Sequence, residues 1–127
     1  MMPKWLKGGL MQMQIEEPDG SIGRVSLVGR MDHAGTIETD ATFMELAARE
    51  KFLLVDLSKV TFLASMGIRT LIMAAKAVRE RGGKMILFNP EVMVAKVLKT
   101  SGTDILIPVY YDRALARMAM QPAAPKS

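Results

Sequence analysis

A nearly unbroken apolar run, Phe52-Leu53-Leu54-Val55-Asp56-Leu57, lies between two stretches of helical periodicity and constrains the fold more than any other feature. A run of this length suits a strand covered on both faces. Before it, Ile37, Phe43, Met44, Leu46 and Ala47 fall broadly on one helical face over Thr36 to Glu50, leaving Glu38, Asp40, Glu45 and Arg49 for solvent. After it, Ile68, Leu71, Ile72, Ala75 and Val78 repeat at three and four over about Met66 to Arg81. Strand–helix alternation of this kind implies right-handed crossovers and a mostly parallel sheet.

The flanks extend the pattern. Met11 to Glu16 alternates apolar and polar, Pro18-Asp19-Gly20 is turn chemistry, and Gly23 to Gly29 returns as a second strand, so the chain enters through an antiparallel hairpin. Arg30-Met31-Asp32-His33-Ala34 is expected as a loop bracketed by Gly29 and Gly35. Gly82-Gly83 stops the second helix and Lys84 to Phe88 forms a strand. Asn89-Pro90 opens a third helix with Pro90 in its first turn, and Gly102 ends it. Ile105 to Tyr110 is expected as an edge strand, because Pro108 cannot donate to a ladder. Asp112 caps a final helix, Ala114 to Met120. The expected order is β-β-α-β-α-β-α-β-α: an α/β domain over residues 11–120, about four helices on a mixed, mostly parallel sheet. Segments 1–10 and 121–127 are expected to be flexible.

Several functions are excluded by what the 127 residues lack. There is no cysteine and a single histidine, His33, so disulfides, thiol catalysis and histidine metal clusters have no material. His33 is read as an exposed loop residue. No nucleophile-elbow motif is present, and Glu16, Glu17 and Asp19 form a charged hairpin end rather than an acid–base pair. Arg81-Gly82-Gly83-Lys84 lacks the first glycine and trailing hydroxyl of a phosphate loop and joins helix to strand in the wrong order. Seventeen Lys and Arg against thirteen Asp and Glu give a net charge of +4, but with 6% aromatics there is no basic–aromatic platform for nucleic acid. No run is long enough for a membrane span, and the first residues lack the apolar core of a signal peptide. No catalytic constellation and no cofactor site are readable; the chain is read as non-enzymatic and cytoplasmic.

The junction Thr61-Phe62-Leu63-Ala64-Ser65-Met66-Gly67-Ile68 is different. Ser65 occupies the expected N-cap position, where its hydroxyl can accept from first-turn amides. Gly67 permits close backbone approach. The free N–H groups and positive end of the helix dipole favour an anion there, so a phosphate on Ser65 is tolerable to the domain while its charge, about −1.5 to −2, would repel a partner with an apolar or acidic surface. A plain capping serine is the alternative.

At this junction the sequence resembles the STAS family, specifically bacterial anti-sigma factor antagonists. Gly29-Arg30-Met31-Asp32, Leu53 through Leu63, Ser65-Met66-Gly67-Ile68, Arg81-Gly82-Gly83-Lys84 with Met85-Ile86-Leu87, and Lys99 through Tyr110 carry the resemblance in order and spacing. It implies a partner-switching regulator of transcription: the unphosphorylated form binds an anti-sigma factor that is also a serine kinase, and a PP2C-type phosphatase reverses phosphorylation. Carried onto the family motif Asp-Ser-Ser/Thr-Gly, Ser65 is the phosphoacceptor and Gly67 the motif glycine. Asp32 matches the acidic loop residue that contacts the kinase. The implied partner surface is Asp32, Ala64, Ser65, Met66, Gly67, Ile68 and Arg69, and a homodimer is left open. Ala64 stands where the motif has its acid, removing a carboxylate that orients the serine but also lowering the repulsion on a phosphate. Met66 replaces the second hydroxyl and either faces the partner or packs inward. The competing reading is a non-phosphorylated adaptor or scaffold subunit of a transporter ATPase or a stressosome-like assembly. Nucleotide binding is a third, with no phosphate loop to support it. The row Arg69, Lys76 and Arg79 is either a partner surface or an ordinary solvated face.

Overall fold

A computed structural model describes residues 12–120; the expected terminal segments 1–10 and 121–127, and Met11, lie outside the described residues. The hairpin strands are β1 (Gln12–Asp19) and β2 (Ile22–Met31), followed by α1 (His33–Arg49), β3 (Phe52–Leu63), α2 (Ser65–Glu80) and β4 (Lys84–Phe88). The chain then forms α3 (Val92–Thr100), α4 (Thr103–Leu106), β5 (Val109–Tyr110) and α5 (Arg113–Met120). The strands stand in sequence order in one sheet. β1 and β2 are antiparallel, and every later pairing is parallel.

Alternation divides the sheet's side chains between two cores. Val25 and Leu27 of β2, Leu53, Val55 and Leu57 of β3 and Met85 and Leu87 of β4 point to one side, where Phe43, Leu46 and Ala47 of α1 and Leu71, Ala74 and Val78 of α2 complete the main core. Val94 and Leu98 of α3 join it. Ile86 and Phe88 point the other way, beneath Ala116 and Met120 of α5. β4 is therefore buried on both faces, as a short apolar run in a parallel sheet should be.

Helix ends are fixed by identifiable contacts. Gly82, at φ +80°, carries its N–H to the Arg79 carbonyl (2.9 Å), and the Gly83 N–H reaches the Val78 carbonyl (3.0 Å), a Schellman stop for α2. The Arg81 guanidinium donates to the Ala47 and Glu50 carbonyls at the end of α1. Asp112 Oδ1 accepts from the Leu115 N–H at 3.0 Å, capping α5 as expected.

Five expectations need correction. The segment 30–34 is not a loop: β2 runs to Met31 and α1 begins at His33, so His33 stands at a helix start, with the Thr36 N–H bonded to the Asp32 carbonyl at 2.9 Å. β3 continues six residues past Leu57, paired with β2 through two register shifts up to Met31 opposite Leu63. Asp40 is not given to solvent; its carboxylate accepts from the buried Thr70 hydroxyl at 2.9 Å, tying α1 to α2. Pro90 precedes α3 rather than sitting in it, because Glu91 is the N-cap. Finally, the expected strand Ile105 to Tyr110 is divided: Ile105 and Leu106 belong to α4, a fifth helix that starts after Gly102 (φ +77°), and Ile107 and Pro108 lead out of it. Of Ile105, Leu106 and Ile107 only Ile107 enters the core, and a helical turn achieves that without pairing the chain. Two residues remain as β5, an edge strand as expected, with the preceding Pro108 contributing its carbonyl to the Leu87 N–H (2.9 Å).

Candidate functional site

The carboxyl ends of β2 and β3 meet the first turn of α2. The Ala64 N–H donates to the Met31 carbonyl at 3.0 Å, and the Ala64 carbonyl accepts from the Ile68 N–H at 3.0 Å. Ala64, with φ −110° and ψ 176°, is thus the N-cap, and its methyl offers no capping bond. The expectation that Ser65 is the N-cap is overturned, since the last strand bond already fixes Ala64 and helical geometry starts with Ser65. That removes the capping role for the hydroxyl. Ser65 is exposed, and its hydroxyl forms no hydrogen bond among the described residues. The amides of Ser65, Met66 and Gly67 precede the first intrahelical bond, leaving the positive helix end open.

Gly67 explains how this turn is held. A Cβ there would lie 2.9 Å from both Met31 Cβ and the Met31 carbonyl oxygen, and 2.8 Å from Leu63 Cδ1. The helix therefore rests on the ends of both strands. Gly67 is buried and positions the turn instead of presenting a surface. Around the helix from it, Ser65 and Arg69 are exposed while Ala64, Met66 and Ile68 are half-buried. Ile68 packs against the main core.

Asp32 is half-buried and lies one residue beyond Met31 on the same platform. Its Oδ2 is 3.2 Å from Arg30 Nε. The Arg30 guanidinium also stacks 4.3 Å above the ring of Phe62, which is 41% exposed. Arg30 and Phe62 extend the site beyond the residues proposed from sequence. The signal for Arg30 was its two-residue spacing from Asp32 at a strand end, which puts both on one face. For Phe62 the signal was absent, because its register opposite Arg30 depends on bulges no local pattern reveals. Lys76, seven residues after Arg69, lies on the exposed face of α2 with Met73. Arg79 lies farther round and lines an apolar groove against Leu106 and Ile107 of about 450 Å³.

The sequence profile of the STAS domain matches residues 12–116, which contain every element from β1 into α5. This chain belongs to the STAS domain family. A curated relative from Bordetella bronchiseptica, provisionally named anti-sigma factor antagonist BtrV, is 28% identical over 120 residues, spanning 91% of this chain and 100% of the relative. An anti-sigma factor antagonist from Mycobacterium paratuberculosis has the same fold, with a TM-score of 0.73 and 23% identity across 88% of this STAS chain and 95% of its own. The Bacillus cell fate determinant SpoIIAA in its phosphorylated form superposes with a TM-score of 0.64 and 17% identity over 84% of this chain and 98% of that one. Among the described residues of this STAS domain, no helix is long and apolar enough to cross a membrane.

Proposed function

We propose that this STAS protein is an anti-sigma factor antagonist that binds a serine-kinase anti-sigma factor through the start of α2 and is released by phosphorylation of Ser65. The observation that carries the reading is the exposed, uncapped Ser65 hydroxyl on a turn pinned by the Ala64–Met31 bond and by Gly67. The names of its relatives support the antagonist role, and SpoIIAA has been captured in both unphosphorylated and phosphorylated forms.

Phosphoryl transfer forms the Ser65 Oγ–P bond and breaks the terminal phosphoanhydride bond of ATP. ADP leaves, and the hydroxyl proton passes to a base of the kinase. A PP2C-type phosphatase restores the hydroxyl by hydrolysis, releasing inorganic phosphate. The protein itself performs no chemistry in this cycle; it presents Asp32, Ser65, Met66, Ile68 and Arg69 to the kinase, with Ala64 and Gly67 fixing the turn. The phosphate brings about −1.5 to −2 charges to that surface, and desolvating them against an apolar or acidic partner expels it.

The test combines this protein with its cognate kinase anti-sigma factor and ATP, followed by intact mass spectrometry. One added phosphate, absent in Ser65→Ala, is expected, and Ser65→Asp is expected to abolish binding to the kinase. Unchanged affinity of Ser65→Asp refutes the phosphoswitch. A stable complex with no phosphate makes the protein a constitutive antagonist, and neither phosphate nor complex with a verified partner transfers the assignment to a STAS adaptor.

A further inference from the structure

Ser65 and Arg69 stand at positions i and i+4 of α2, both exposed. Residues at this spacing are neighbours on a helix surface, with Cβ atoms roughly 5–6 Å apart. Every Cα–Cβ bond of a helix tilts toward its N-terminus, so the long Arg69 side chain leans back over the turn that carries Ser65. An anion placed N-terminal to a cation at i,i+4 is also the favoured order. Arg69 forms no ion pair or hydrogen bond among the described residues. The other nearby cation, Arg30, is already held by Asp32 and the Phe62 ring. Lys76 lies seven residues further on, about 10 Å along the axis, beyond reach of residue 65.

We propose that Arg69 is the intramolecular partner of phosphorylated Ser65. This rests on Ser65 being the phosphoacceptor. The phosphate adds an anion and at the same time withdraws Arg69 from the docking surface, so the exposed start of α2 turns from cationic to net anionic in one step. The first-turn amides share the load from the other side of the phosphate. A partner that meets Arg69 with an acidic group loses that contact in the same event that introduces repulsion. The Arg69 pairing thus amplifies the switch without any rearrangement of the fold.

The experiment uses the full chain with phosphoserine incorporated at position 65 during translation, so that it does not depend on a kinase. Phosphorus NMR then follows the second phosphate ionisation, ordinarily near about pH 6. Pairing with Arg69 lowers it; relative to Arg69→Gln, the wild-type protein is expected to titrate about 0.3 pH unit lower, roughly a twofold change in acidity constant. Arg69→Lys is expected to recover part of the difference, Arg30→Gln and Lys76→Gln to leave it intact, and about 1 M salt to shrink it. Identical titrations of wild type and Arg69→Gln overturn the proposal, as does a loss of the shift in Arg30→Gln instead. Failure of the kinase to modify Ser65 refutes the switch reading while leaving this titration to decide the pairing by itself.

Discussion

Replacing Gly67 by Ala tests whether the start of α2 is positioned by contact with the strand ends. The added methyl carbon meets Met31 Cβ and the Met31 carbonyl oxygen at 2.9 Å and Leu63 Cδ1 at 2.8 Å. Leu63 is 5% exposed and Met31 is fully buried, and the Met31 carbonyl is further fixed by the Ala64 N–H. Two of the three obstacles therefore belong to or adjoin the backbone and cannot swing away. Restoring ordinary contact requires the first turn to move by about half an ångström, and overpacking of this sort costs about 1–3 kcal/mol. Alanine's helix propensity returns at most about 1 kcal/mol. The expected balance is a destabilisation of about 1–2 kcal/mol. In urea, taking a slope of about 2 kcal/mol per molar, the midpoint should fall by roughly 0.5–1 M with the slope unchanged. The displaced turn also carries Ser65, so phosphorylation by the kinase should slow by more than the loss of folded protein explains. A midpoint equal to or above that of the wild type would refute this, because helix propensity would then outweigh the contact with Met31 and Leu63 and the strand ends would be shown to yield.

Two other predictions concern the frame and the surface. Gly83→Ala places a Cβ 2.0 Å from the Lys51 carbonyl oxygen, itself bound by the Lys84 N–H at 2.8 Å, so a loss of about 3 kcal/mol is expected in equilibrium unfolding. Asp32→Asn weakens the partly exposed ion pair with Arg30 and should change stability by less than about 1 kcal/mol, while weakening kinase binding by roughly tenfold in calorimetry; a comparable loss of stability would reassign Asp32 to the fold.

The central architecture was legible because its periodicities are unambiguous. The β3 run, the α2 stripe and the Gly82-Gly83 stop each carry a local physical cause. What escaped the sequence depends on tertiary pairing. The residues after Leu57 alternate poorly, since Ser58, Lys59, Thr61 and Phe62 face outward across bulges, so nothing local marks them as strand. Ile105 to Tyr110 has the composition of a strand, yet only Ile107 finds space in the core, and short apolar runs do not distinguish the two states. At the site, Ser65 and Gly67 were identifiable as residue types suited to a helix start. Their division of labour was not, because it turns on the bond from Ala64 to Met31 that sets the helix boundary one residue earlier than the serine suggests.

That boundary gives the departure at Ala64 a physical consequence. Ala64 has the extended backbone of an N-cap, the position at which Asp is among the best residues and Ala among the poorest. In Ala64→Asp the carboxylate would accept from the free amides of Met66 or Gly67, stabilising the unphosphorylated protein by about 1 kcal/mol. The same amides and the same helix dipole are what a phosphate on Ser65 would use. The carboxylate and the phosphate then compete and repel, so phosphorylation of Ala64→Asp should raise the unfolding midpoint by less than it does in the wild type. Thermal unfolding of the four species, each protein with and without phosphoserine at 65, measures the coupling directly. Additive effects would mean that the phosphate draws nothing from the helix end. A negative coupling would mean that alanine at position 64 keeps the helix end free for the phosphate.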